Sequence, residues 1–235
     1  MLIGEIAIPT LEDLFINKIE QQIFSGRLNP GDKLPSERQL QEETKISKTV
    51  IHAGLVALEK KGFIEIKPRC GAFVLDHRVT GSLEAMNALI QYNGGKMTKE
   101  QIKSFFEFRI AVEGTTLKKL AVNHTDEMVA QLNDILKQAE KEAKKDEASP
   151  TALAELLFLY QRTMCVYSGN TFFAPLFNEF KPIIIQFWED SINRFGAVSN
   201  VKLARKYLKD IMNNDETSVY NRLIRSSETY VNAYK

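Results

Sequence analysis

The chain has 235 residues, with 31 Lys+Arg against 30 Asp+Glu, a formal net charge of +1 and 44% hydrophobic residues. A chain of this length holds one large core or two modest ones, so two domains are expected. The balanced charge excludes any argument from a basic protein as a whole; a case for nucleic acid has to come from the local distribution of charge.

Two cysteines, Cys70 and Cys165, lie far apart without metal-type spacing and suggest no disulfide framework, as expected in a reducing cytoplasm. Met1 to Thr10 lacks a basic start followed by an apolar run and is not expected to be a secretion signal. Pro182 to Trp188 is the most hydrophobic patch and is too short to cross a bilayer, so no membrane partner is expected.

In chain order, Thr10 caps a helix from Leu11, with Asp13 in the first turn and Leu11, Leu14, Phe15, Ile19 and Ile23 at helical spacing. Asn29-Pro30-Gly31 is a turn. Ser36 caps a second helix, Glu37 to Glu43. After a short break Ser47 caps a third, which runs to about Lys61 with Ile51, Leu55 and Leu58 as its buried stripe. Gly62 is suited to end that helix in a left-handed conformation. Phe63 to Lys67 alternates as a half-buried strand, Pro68 to Gly71 turns, and Ala72 to Leu75 returns. Two short strands need the helices to pack against. The expectation is a mainly α chain: a winged helix-turn-helix, three helices plus a β-hairpin, over 1–76. A linker at 77–82 and an all-α helical bundle over 83–235 follow it. In the bundle, helices are expected at Leu83–Tyr92, Lys99–Val122, Asp126–Lys145, Thr151–Tyr167, Phe172–Phe195, Val201–Asn213 and Glu216–Tyr234.

A helix-turn-helix presents the start of its second helix to base edges in the major groove. Here that start is Ser47, with Lys48, Thr49 and His52 turned outward and Ile51 and Leu55 inward. Lys48 can meet a phosphate or a guanine edge, and Thr49 and the free amides of the first turn can donate to phosphate. The hairpin tip can carry Arg69 into the adjacent minor groove, where Gly71 allows close approach. Between Lys45 and Arg69 there are six basic and two acidic residues, a local excess within a neutral chain.

These residues resemble the GntR family of bacterial transcription regulators. Leu34-Pro35-Ser36-Glu37-Arg38-Gln39-Leu40 is close to that family's L-P-S-E-R-x-L signature, Pro30-Gly31 precedes it as in P-G-x-x-L-P, and Ser47-Lys48-Thr49 stands where the family has S-R-T. The resemblance implies that Arg38, Lys48, Thr49, His52, Arg69 and Gly71 contact a double-stranded DNA operator. One departure is His52, followed by Ala53, where the family reads Arg-Glu; a neutral imidazole lacks the fork of arginine, so a different operator is expected.

The helical second half is similar to the FadR-like branch of the family. Glu107 to Glu113 resembles its E-x-R-x-x-x-E helix, and Tyr167-Ser168-Gly169-Asn170 its A-S-G-N turn. Many members of that branch bind a divalent metal through one Asp and three His. The matching positions here are Leu157, Gln161, Ala204 and Ser226, so no metal and no other cofactor is expected. Arg109 lies on an otherwise apolar face and is either paired, with Glu113, or waiting for an anion. Together with Glu113, Tyr160, Gln161, Trp188 and Asn193 it is a candidate site for a carboxylate or acyl effector. Dimerisation is expected from the two-fold symmetry of operators. The alternative is a bundle used only for dimerisation or protein partners. No Ser/His/Asp or Cys/His set, phosphate-cradling loop or paired carboxylates argue for an enzyme.

Overall fold

The computed structural model describes residues 9–234, so the reading of Met1 to Thr10 falls largely outside the described residues. They form two compact units, one up to Lys96 and one from Met97 onward.

In the first unit, α1 (Leu11–Phe24) opens on a capping box in which Thr10 and Asp13 satisfy each other's end groups. A second capping box, Ser36 with Gln39, opens α2 (Glu37–Thr44), and Ser47 caps α3 (Lys48–Lys60) by accepting from the Val50 amide. Lys45 adopts the left-handed conformation (φ 60°) at the end of α2, which makes the turn into α3. The stripe expected on α1 is rotated. Phe15, Ile16, Ile19 and Ile23 are buried, whereas Leu11 and Leu14 are more than half exposed, because Ile16 rather than Leu14 faces α3.

Strands β1 (Ile64–Lys67) and β2 (Gly71–Val74) pair antiparallel, with Ile64 opposite Val74 and Lys67 opposite Gly71. The 31–34 segment adds a third edge: the Gly31 amide donates to Val74 O (2.8 Å) and the Leu34 amide to Ala72 O (2.9 Å). One core joins the three helices and the hairpin through Phe15, Ile51, Leu55, Leu58, Phe63 and Ile64. Gly62 sits at φ +82° where an added Cβ would fall 2.0 Å from Thr80 O, so a side chain is excluded on two counts.

The stretch 77–82, expected to be a linker, holds a short helix, α4 (His77–Thr80), capped by Asp76. The next helix, α5 (Leu83–Tyr92), packs on α1, and its Ala85 belongs to the first core. The compact first unit therefore extends past the expected boundary at 76, because α5 buries its apolar face against α1.

The second unit contains α6 (Lys99–Asn123), α7 (Asp126–Ala143), α8 (Pro150–Tyr167), α9 (Phe173–Glu179), α10 (Lys181–Phe195), α11 (Ala197–Met212) and α12 (Glu216–Ala233). The central element is α8, packed against α6, α7, α9, α10 and α11. Its buried positions, from Leu153 and Ala154 through Phe158 to Met164 and Cys165, form one broad face, while Glu155 and Val166 are exposed on the other. The single helix expected over 172–195 is two, with Pro182 in the first turn of α10, where its missing N–H costs nothing. The loop expected at 196–200 shrinks to Gly196 (φ 86°): the Asn200 side-chain Nδ2 donates to Ser191 O (3.1 Å) and Gly196 O (2.9 Å), which holds the start of α11 against the end of α10.

Candidate nucleic-acid interface and bundle cavity

The outer face of α3 is set by its inner one. Ile51, Gly54, Leu55 and Leu58 are buried, so Lys48, Thr49, His52 and Val56 stand exposed at intervals of one helical turn. Gly54 allows this close seat on α1, since a Cβ there would lie 2.6 Å from the Phe15 ring. Ser47 uses its hydroxyl on Val50 N and leaves the exposed amides at the start of α3 to a ligand.

Glu37, the first residue of α2, organises this face. Its Oε1 is 2.8 Å from His52 Nδ1 and its Oε2 is 3.8 Å from Lys48 Nζ. Glu37 lies inside the motif that signals the domain, yet its partner is fifteen residues away in sequence, and no local spacing announces the contact. Arg38 points outward and holds Glu42 at 3.0 Å, one helical turn away.

The hairpin tip closes with the Cys70 amide donating to Lys67 O (3.0 Å), with Arg69 at φ +63° and Gly71 at φ +108°. Left-handed backbone is unfavourable for a residue with a Cβ, so Arg69 is held exposed in a conformation glycine would adopt more readily. Lys33 and Lys67 both lie over the Phe73 ring, at 5.9 and 5.3 Å from its centre, and add positive charge behind the tip. Lys33 carries no motif of its own; the bridge that brings it to Phe73 appears only in the fold.

The second unit holds a cavity of about 470 Å³. Arg109, Glu113, Tyr160, Gln161 and Trp188 all line it; Asn193 does not and is exposed. The reason is helical phase: Ser191 and Ile192 take the inner face of α10, which turns Asn193 outward. Arg109 is paired. Its Nε and Nη2 donate to the two Glu113 oxygens at 2.6 and 2.8 Å, and the guanidinium lies over Phe187 (4.7 Å) and Phe106 (5.1 Å). Burial alone would pull the guanidinium pKa down, but the Glu113 charge and hydrogen bonds outweigh it and leave it above its ordinary value. Trp188 Nε1 donates to Gln161 Oε1 (2.8 Å), and Gln161 Nε2 donates to Glu113 Oε1 (3.0 Å), so every polar member of this corner is oriented by the next.

On α12, Arg222 and Arg225 also line the cavity. Arg222 is held by Asp210 at 2.6 and 3.1 Å, while Arg225 is exposed. Both were missed in the sequence, although Arg222, Arg225, Ser226 and Thr229 fall on one face at helical spacing. The Tyr207 hydroxyl meets Ser226 Oγ at 2.7 Å, and burial pushes its pKa up to about 12.

The four positions matched to the metal ligands of the FadR-like branch, Leu157, Gln161, Ala204 and Ser226, all line this same cavity. Their only donors are an amide engaged by Trp188 and Glu113 and a hydroxyl engaged by Tyr207 and Leu223 O, a set that does not fit a transition metal. Among the described residues no group of three or more His, Cys, Asp and Glu could hold a metal ion.

The chain thus combines a winged helix-turn-helix in one unit with an all-helical domain that holds a cavity in the other. Residues 15–74 match the bacterial regulatory proteins of the gntR family, and residues 104–216 match the FCD domain. The chain is a gntR-family protein with an FCD domain. It is 25% identical over 140 residues to the Uxu operon transcriptional regulator of Escherichia coli K12, covering 60% of this chain and 52% of that one. It is 28% identical over 116 residues to the HTH-type transcriptional regulator LutR of Bacillus subtilis, covering 49% and 51%. The chain thus spans about half the length of these curated relatives. The solved structure of Streptococcus agalactiae GntR aligns with a TM-score of 0.49 at 17% identity, over 95% of this chain and 100% of that one.

Proposed function

We propose that the protein is a sequence-specific, DNA-binding transcription regulator of the cytoplasm that works as a homodimer. The observation that carries this reading is the exposed row Lys48, Thr49 and His52 on α3, with Arg69 on the adjoining hairpin. In this reading α3 enters the major groove, Arg38 and the α3 amides hold phosphates, and the wing reaches the neighbouring minor groove with Arg69. Among the described residues no helix is long and apolar enough to cross a membrane.

The FCD-type bundle senses a small molecule. The cavity lies in the size range of small-molecule sites, walled by Phe106, Leu157, Phe187 and Trp188, with Arg109 at its polar corner. The bonds to Glu113 use Nε and Nη2 of Arg109, which leaves Nη1 for a carboxylate or acyl carbonyl. A ligand that binds one bundle conformation better shifts the population toward it and so changes operator affinity. Thermal-shift screening with a panel of organic acids and acyl compounds tests this half. A raised melting temperature that is lost in Arg109→Leu supports it; a panel without a hit favours a bundle used for dimerisation alone.

A further inference from the structure

The next inference rests on the reading of α3 as the base-reading helix. His52 extends from α3 with its side chain 63% exposed, and its Nδ1 is 2.8 Å from Glu37 Oε1. A carboxylate oxygen only accepts, so Nδ1 carries the proton in this contact. The neutral ring then presents Nε2 as a bare acceptor. In the major groove guanine offers two acceptors, N7 and O6, whereas adenine and cytosine each offer an amino group, on N6 and N4. We propose that Glu37 fixes His52 as a hydrogen-bond acceptor, so that the protein selects an amino-bearing base, adenine or cytosine, where an arginine would select guanine. Glu37 is then a positioning residue for specificity, and His52 the residue that reads the base.

Among the described residues, the charged group that touches the ring is Glu37, from α2; its neighbour Arg38 is held by Glu42 at 3.0 Å. From α3 itself the group is Lys48, 3.8 Å from the other oxygen of Glu37. The faces of α3 turned to α1 and β1 are the buried ones, at Gly54, Leu55 and Leu58. Protonation of Nε2 keeps the Glu37 contact and turns the outward nitrogen into a donor, which suits guanine instead. Base preference at one operator position should therefore change with pH while the others hold.

The test is selection of bound duplexes from a random-sequence pool by the full chain, at pH about 8 and about 6. His52→Arg and Glu37→Gln are run beside it. The position read by residue 52 is the one that changes between wild type and His52→Arg, or between the two pH values. At pH about 8, wild type should enrich adenine or cytosine there, with guanine roughly tenfold weaker, the discrimination expected of one good base contact. His52→Arg should enrich guanine at that position. Lower pH for wild type, and Glu37→Gln at the higher pH, should each raise guanine at that position. Guanine or no preference in wild type at pH about 8 overturns the inference. So does an unchanged preference in Glu37→Gln, or the absence of any position that responds to both His52→Arg and pH. A wild-type protein that enriches no sequence overturns the DNA-reading function itself, and this inference with it.

Discussion

At the hairpin tip Arg69 carries a conformational cost that fits its proposed role at DNA. It sits at φ +63°, a conformation that is unfavourable for any side chain with a Cβ and neutral for glycine. Arg69→Gly should therefore raise stability, by up to about 1 kcal/mol, while weakening DNA binding; denaturant titration and a binding assay read the two effects. A fall in both would assign Arg69 a structural role. In the bundle, Arg109 and Glu113 are both nearly sealed from water. Arg109→Leu or Glu113→Leu alone leaves one buried charge without its partner and should cost about 3–5 kcal/mol, whereas the double replacement should cost clearly less than the sum. Urea unfolding of the three variants checks this, and additive losses would contradict the pairing. The cysteines separate in the same way. Cys165 is fully buried and its thiol is pushed up to about 12 by burial, while Cys70 is exposed at the hairpin tip. A thiol reagent at neutral pH should label one cysteine in the native protein and two only after unfolding; prompt labelling of both would show that α8 opens.

At the scale of elements, caps and breakers carried most of the sequence reading. Thr10, Ser36 and Ser47 start their helices because each offers an oxygen to an orphan amide, and those starts are local chemistry. Faces were less legible. Leu14 and Ile16 are equally apolar, and only the position of α3 decides which is buried. The split at Phe180 was hidden because Pro182 is as compatible with the first turn of a new helix as with a kink. Of the cavity residues, Arg109 and Glu113 were legible from i,i+4 spacing on an apolar helix. Glu37 with His52, and Arg222 with Asp210, join separate helices and were not. Gly54 gives a further test at this scale. Alanine is the better helix former, but its Cβ would lie 2.6 Å from the Phe15 ring. Gly54→Ala should therefore destabilise the protein by about 1–3 kcal/mol despite the gain in propensity, as thermal unfolding would show. A rise in melting temperature would mean that α1 and α3 separate at little cost.

For the whole molecule, a net charge of +1 leaves any attraction to DNA to the local distribution of charge. The matched regulatory domain at 15–74 holds the residues proposed to meet DNA, and the FCD match at 104–216 holds most of the cavity. Affinity should then depend on few phosphate contacts, and its fall with salt should be shallower in a variant that loses them. The most direct test is the affinity of the full chain for a duplex selected from a random pool, against a scrambled duplex. Wild type should be compared with Arg38→Ala/Lys48→Ala/Arg69→Ala at fixed salt. The account predicts a preference of about a thousandfold or more for the selected duplex in wild type, within the usual range for specific regulators. It also predicts loss of most of that affinity in the triple variant at unchanged melting temperature. Equal binding of the two duplexes by wild type, or undiminished binding by the variant, would contradict it.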